Sequence, residues 1–130
     1  MQISDKTQQI LEIAVSQAEA KQATNLIALD VSERFGFADV FLIASGEVER
    51  NVQAISDAIE DGLNSIGVKT LRREGREAGR WILLDFGDLI VHLFHEEDRE
   101  HYDLERLWRD CDEIQLKLED ASLPEDEKVR

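Results

Sequence analysis

Apolar positions along this chain fall into two kinds of run. In the first they recur every three or four residues. Leu11, Ala14, Val15 and Ala18 do so, and Val48, Val52, Ile55, Ile59, Leu63 and Ile66 do so more sharply. That spacing gathers them on one face of a helix. It predicts a helix over 4–22, capped by Ser4 or Asp5, and a second over 48–66, entered through Ser45 and Gly46 and closed by Gly67 as a left-handed residue. A weaker stripe, Leu104, Leu107, Trp108 and Cys111, predicts a last helix that Ile114 and Leu118 extend. In the second kind of run the apolar residues are contiguous or alternate. Residues 25–31, 39–45 and 68–72 read as strands, and Val40-Phe41-Leu42-Ile43, with no alternation, reads as a strand buried on both faces.

The longest such pattern spans 79–94. Two strand-length runs flank Phe86 and Gly87, with Asp85 and Asp88 on either side, which predicts a tight hairpin. A loop of Phe86 and Gly87 alone would set Asp85 opposite Asp88, Leu83 opposite Ile90 and Trp81 opposite His92. The hairpin then has two unlike faces. Ile82, Leu84, Leu89, Val91 and Leu93 form an aliphatic one, which must be buried. Trp81, Leu83, Asp85, Asp88, Ile90, His92 and Phe94 form a mixed one, a poor core and a candidate docking surface. The element order is α-β-β-α-β-β-β-α, an α/β chain on a mixed sheet, with one domain over 1–112 and a helix extension and charged, frayed tail over 113–130.

Charge changes the picture of partners. Asp and Glu (29) exceed Lys and Arg (15) by 14 in 130 residues. Such a chain repels a phosphate backbone at long range, so sequence-specific nucleic-acid binding is not expected and a basic protein partner is. Arg72, Arg73, Arg76 and Arg80 are the one basic cluster; with acidic neighbours they read as a solvated loop rather than an RNA contact. One cysteine, Cys111, excludes an internal disulfide and suits a reducing cytoplasm. No apolar run approaches membrane-spanning length and the N-terminus lacks signal-peptide shape, so the expected localisation is cytoplasmic.

Candidate chemistry is weak. Asp85-Phe86-Gly87 matches the kinase metal-binding triplet, but the glycine-rich loop, strand lysine and catalytic loop that triplet needs are missing. His92, His95 and His101 lack a ligand-spaced set, so no metal or cofactor is expected. Asp30, Asp39, Asp85 and Asp88 would have to converge to hold magnesium, and turn carboxylates more often bond their own backbone. Trp81 is the sharpest case. A strand tryptophan is usually packing, yet here it shares a face with Asp85, Asp88 and His92, as interface anchors do. Glu96, Glu97 and Asp98 read as helix-start charges or as the rim of a surface for a basic partner, with Tyr102 just beyond.

These residues resemble the ribosomal silencing factor family, the Iojap-like proteins. The features that carry the resemblance are ALDV at 28–31, ADVFLIASG at 38–46, WILLDFGDLIVH at 81–92, and the run from Glu96 through Tyr102 to LERLW at 104–108; together they span residues 8–110. The resemblance implies a nucleotidyltransferase-like fold without catalysis: Ser45 and Gly46 stand in reversed order relative to such enzymes, and no D-x-D pair follows. It also implies binding to large-subunit ribosomal protein fourteen, which blocks joining of the small subunit and represses translation when nutrients are short. Large-subunit assembly is the alternative role, and a magnesium-dependent nucleotidyltransferase the less favoured one. The implied contacts are Trp81, Leu83, Asp85, Asp88, Ile90, His92, Glu96, Glu97 and Tyr102. The same face leaves room for a homodimer of the free protein. The chain departs from the family's T-G-T-S-x-R-H-like segment at 45–51, where Asn51 replaces the usual histidine.

Overall fold

Ser4 stands in extended backbone (φ −68°, ψ 159°), and its hydroxyl accepts from the Thr7 amide at 3.1 Å, which satisfies one of the free donors of a helix start. Helix α1 (Asp5–Ala20) follows, and then β1 (Thr24–Asp30), β2 (Val40–Gly46) and helix α2 (Glu49–Asn64). The computed structural model of the chain describes residues 3–34, 36–102, 109 and 111–116. Helix α2 ends as its sequence predicts. Gly67 takes φ 87°, its amide donates to Asn64 O at 3.0 Å and that of Val68 to Leu63 O at 3.0 Å, the two bonds of a Schellman closure. After it come β3 (Arg72–Glu74), β4 (Trp81–Asp85), β5 (Leu89–His95), α3 (Glu96–Tyr102) and β6 (Asp112–Ile114).

The strands form one sheet in the order β3-β4-β5-β2-β1-β6. β2 and β5 pair in parallel, and every other pair is antiparallel. This central pair is buried along its whole length, as the unbroken apolar run of β2 predicts. α1 and α2 lie on one face. Ile10, Leu11, Ala14 and Val15 from α1 and Val52, Ile55, Ile59 and Leu63 from α2 pack there against Leu42, Ala44, Ile82, Leu84, Val91 and Leu93. The aliphatic side of the hairpin is therefore the helix side. Its mixed side is corrected from a poor core to a second one, in which Ile90 and Phe94 pack with Leu29, Val31, Phe41 and Ile43.

Three local expectations give way. The hairpin pairs Trp81 with Phe94, Leu83 with His92 and Asp85 with Ile90, and Phe86 N donates to Leu89 O at 2.9 Å, so the two-residue loop is Gly87-Asp88. The register moves by two residues, an even number, so every residue within the strands keeps its face. Gly87 decides it: its φ is 93°, and a positive φ at the first loop position alone suits a type II′ turn. Asp85 Oδ1 accepts from the Gly87 amide at 2.8 Å and steadies that turn. Gly87→Ala has room for its methyl, which would meet only Leu71 at 3.6 Å. Its cost is the backbone conformation, and urea denaturation is expected to show a loss of roughly 1–2 kcal/mol.

The third strand starts at Arg72 rather than Val68. Val68–Leu71 are spent returning from the end of α2 to the sheet edge, where Leu71 N meets Asp85 O at 2.7 Å. At the far edge, Ile114 lies on β6 opposite Ala28, not on a helix, so the helix extension expected from residue 113 is corrected there. Three residues cannot separate a period of two from one of 3.6; the unfilled edge of β1 does. Leu104, Leu107, Trp108, Leu118 and the tail from 119 onward lie outside the described residues.

Candidate functional site

β4 and β5 place Trp81, Leu83, Asp85, Ile90, His92 and Phe94 on the sheet face away from α1 and α2, because alternate residues of a strand share a side. Their exposure differs along the face. Trp81 is 37% exposed, Leu83 and Asp85 are half-buried, and Ile90 and His92 lie below the surface at 5% and 8%. Direct contact with a partner was expected of Ile90 and His92, and in this chain by itself they are packed beneath other groups. Asp88 is exposed in the hairpin turn. At about 3.3 Å per residue it stands roughly 23 Å from His95, at the opposite end of β5 from Glu96 and Glu97. The expected contact residues therefore form a long strip rather than one cluster.

Trp81 is the best-held of them. Its ring lies 5.0 Å from that of Phe94, its cross-strand neighbour, tilted by 31°. The indole N–H donates to His92 Nδ1 at 3.3 Å. His92 in turn meets Phe41 edge-on at 4.9 Å. Strand alternation put Phe94 on this face and Phe41 in the buried run of β2, but neither was among the implied contacts, and their packing on Trp81 and His92 appears only once the strands pair.

Burial lowers the His92 pKa from its ordinary 6.5 to about 4. An unfolded chain takes up this proton below pH 6.5, whereas the folded one resists to about 4. The titration of His92 therefore costs the fold nothing above pH 6.5 and destabilises it progressively as pH falls toward 4, by roughly 3 kcal/mol in all. Urea unfolding at pH 7 and pH 4.5 should show that slope, and His92→Leu should flatten it.

The Trp81 end of the strip is ordered by charge. Arg80 forks onto Asp98 at 2.8 and 3.0 Å and reaches Glu49 at 3.4 Å, joining the start of β4 to α2 and α3. His95, buried at the end of β5, accepts the Glu97 amide on Nδ1 at 3.1 Å, leaving its Nε2 proton to face Glu49 at 3.4 Å. It caps α3, whose first turn holds Glu96, Glu97 and Asp98, the favourable sign for a helix start. Thr24 Oγ1 donates to Glu96 at 2.8 Å, while Glu97 is 77% exposed and 3.7 Å from Arg80. Tyr102 is the last residue of α3. Arg80 and His95 act here as struts, a role visible only once the strand ends are brought together.

The basic cluster is neutralised inside the chain. Arg72 pairs with Glu74 at 3.0 Å, Arg73 with Glu60 at 2.8 Å, and Arg76 with Asp57 at 2.8 and 2.6 Å. The Arg76 hydrogen bonds hold the Asp57 carboxyl below the usual range. With Arg80 on Asp98, all four guanidinium groups are paired with carboxylates of the chain. At the other end of the sheet, burial and then the charges of Asp88 and Asp30 push Asp39 upward. Asp85 has spent an oxygen on its own turn, and among the described residues no three His, Cys, Asp or Glu groups come together in a set that could hold a metal ion. No helix among the described residues is long and apolar enough to cross a membrane.

Fold and site define the class first: a small α/β protein on one mixed six-stranded sheet, with a tryptophan-centred face opposite its two main helices. Residues 4–130 match the family described as "Ribosomal silencing factor during starvation". The chain belongs to the ribosomal silencing factor family. It is similar to the ribosomal silencing factor of Bacillus subtilis, 40% identical over 102 residues that make up 78% of this chain and 86% of the relative. A crystal structure from Bacillus halodurans superposes with a TM-score of 0.76 at 37% identity, covering 84% of this chain and 99% of that one. A mouse relative, 28% identical over 89% of this chain and 53% of its own length, is named "Mitochondrial assembly of ribosomal large subunit protein 1".

Proposed function

We propose that this protein docks on the large ribosomal subunit through ribosomal protein fourteen and, by occupying that surface, keeps the small subunit from joining, so that translation is repressed when nutrients are limiting. The observation that carries this reading is Trp81, a partly exposed aromatic group on a rigid sheet, supported from behind by Phe94 and flanked at its end of the strip by the acidic start of α3. Such a ring beside carboxylates suits a basic, partly apolar protein surface. The excess of 14 acidic residues favours the same partner by steering its approach. The action is steric, without turnover.

Sedimentation of the purified protein with isolated large and small subunits tests this. Co-migration with the large subunit and suppression of joining are expected. Binding without suppression would favour the second reading, a factor in large-subunit assembly, which the name of the mouse relative supports. A magnesium-dependent nucleotidyltransferase is the third. In a thermal-shift screen with nucleotides and magnesium we expect no stabilisation, whereas a ligand at 100 times its dissociation constant would add about 2.7 kcal/mol.

A further inference from the structure

The imidazole of His92 makes poor sense as core alone. Its backbone partners are Leu83 on β4 and Ile43 on β2, its ring rests on Phe41, and the one polar group it meets among the described residues is the Trp81 indole N–H. Because Nδ1 accepts that N–H, the ring proton sits on Nε2, and Nε2 is buried with no hydrogen-bond partner among the described residues. An unmet buried donor is a cost that leucine, of similar bulk, would not incur. Fold stability therefore gives no reason for histidine here. The bond to Trp81 gives one.

We infer that His92 is a positioning residue for Trp81: by accepting the indole N–H it holds the ring in its docking orientation against Phe94 and satisfies its only polar group from within the chain. This rests on the docking role proposed above for Trp81. Two consequences follow for recognition. The ring is ordered before the partner arrives, so less freedom is lost on binding. Its donor is already engaged, so the partner need not offer a hydrogen-bond acceptor, and the matching surface is apolar or cationic, able to lie on the ring itself.

The test compares His92→Leu, which removes the acceptor but keeps bulk, with His92→Asn, whose amide oxygen stands near the place of Nδ1. The expected result has opposite signs. His92→Leu should be at least as stable at pH 7 as wild type, yet bind the isolated large subunit roughly threefold to tenfold more weakly, the effect of leaving one large side chain to be frozen on binding. His92→Asn should recover most of that affinity. A stable leucine variant that binds as wild type does would overturn the inference, while the docking reading would survive if Trp81→Ala still lost binding. Unchanged binding by Trp81→Ala would instead overturn the docking reading itself. Should the leucine variant fail to fold, wild type still decides. The chain has two tryptophans, so Trp81→Phe assigns their indole signals. A nitrogen–nitrogen coupling across the bond from Trp81 Nε1 to His92 Nδ1 is expected in the nuclear magnetic resonance spectrum, and its absence would overturn the inference.

Discussion

Trp81→Ala is expected to lower affinity for the large subunit about 30-fold while leaving the chain folded. The figure follows from area. About 37% of the tryptophan surface remains exposed. An aromatic side chain of this size carries up to about 250 Å², so a partner that covers the rest removes on the order of 90 Å² from water, worth roughly 2 kcal/mol. Ten-fold in affinity corresponds to about 1.4 kcal/mol. Glu97→Ala is the natural contrast. Glu97 is 77% exposed and only loosely paired with Arg80 at 3.7 Å, so its removal should change affinity less than about threefold and act on the association rate, more at low salt than at high. Titration of both variants against large subunits, with a thermal melt of each, separates lost contact from lost fold. Equal, small losses from the two would mean that Trp81 packs rather than binds.

Leu93→Ala should have the largest effect on stability, a loss of roughly 3 kcal/mol in urea unfolding. Leu93 is fully buried on β5, opposite Ala44 of β2 on one side and Ile82 of β4 on the other, in the core that α1 and α2 close. Alanine there removes apolar contact in the middle of the sheet, where neither edge can move in to fill the gap. For a chain of 130 residues each kcal/mol moves the midpoint by about 4 °C, so a fall of about 12 °C is expected. A loss below about 1 kcal/mol would show that the helix layer relaxes onto the sheet. The two predictions are separable: Leu93→Ala, assayed at low temperature where it is folded, should keep its affinity for the large subunit.

The chain's own pattern determined much of this. The helical stripes of α1 and α2, the double burial of β2 and the division of the hairpin into an aliphatic and a mixed face are all consequences of local period, which needs no partner to be read. The face of Trp81 survived a wrong register because a slip of two residues preserves parity. The position of the turn did not, since Asp85-Phe86-Gly87-Asp88 offers glycine to two loops and only strand pairing chooses between them.

Other features belonged to tertiary structure alone. Ile114 became a strand because β1 had an edge to pair, and Arg73, Arg76 and Arg80 became internal ion pairs because α2 and α3 bring carboxylates to them, whereas Arg72 pairs locally with Glu74 of its own strand. The burial of His92 and Ile90 beneath the face that was expected to expose them, and the use of His92 to hold Trp81, depend on Phe41 arriving from β2 and Trp81 from β4. Period says which side of a sheet a residue takes. How deep it lies on that side, and what it touches there, is set by residues distant in the chain, and no local pattern encodes their approach.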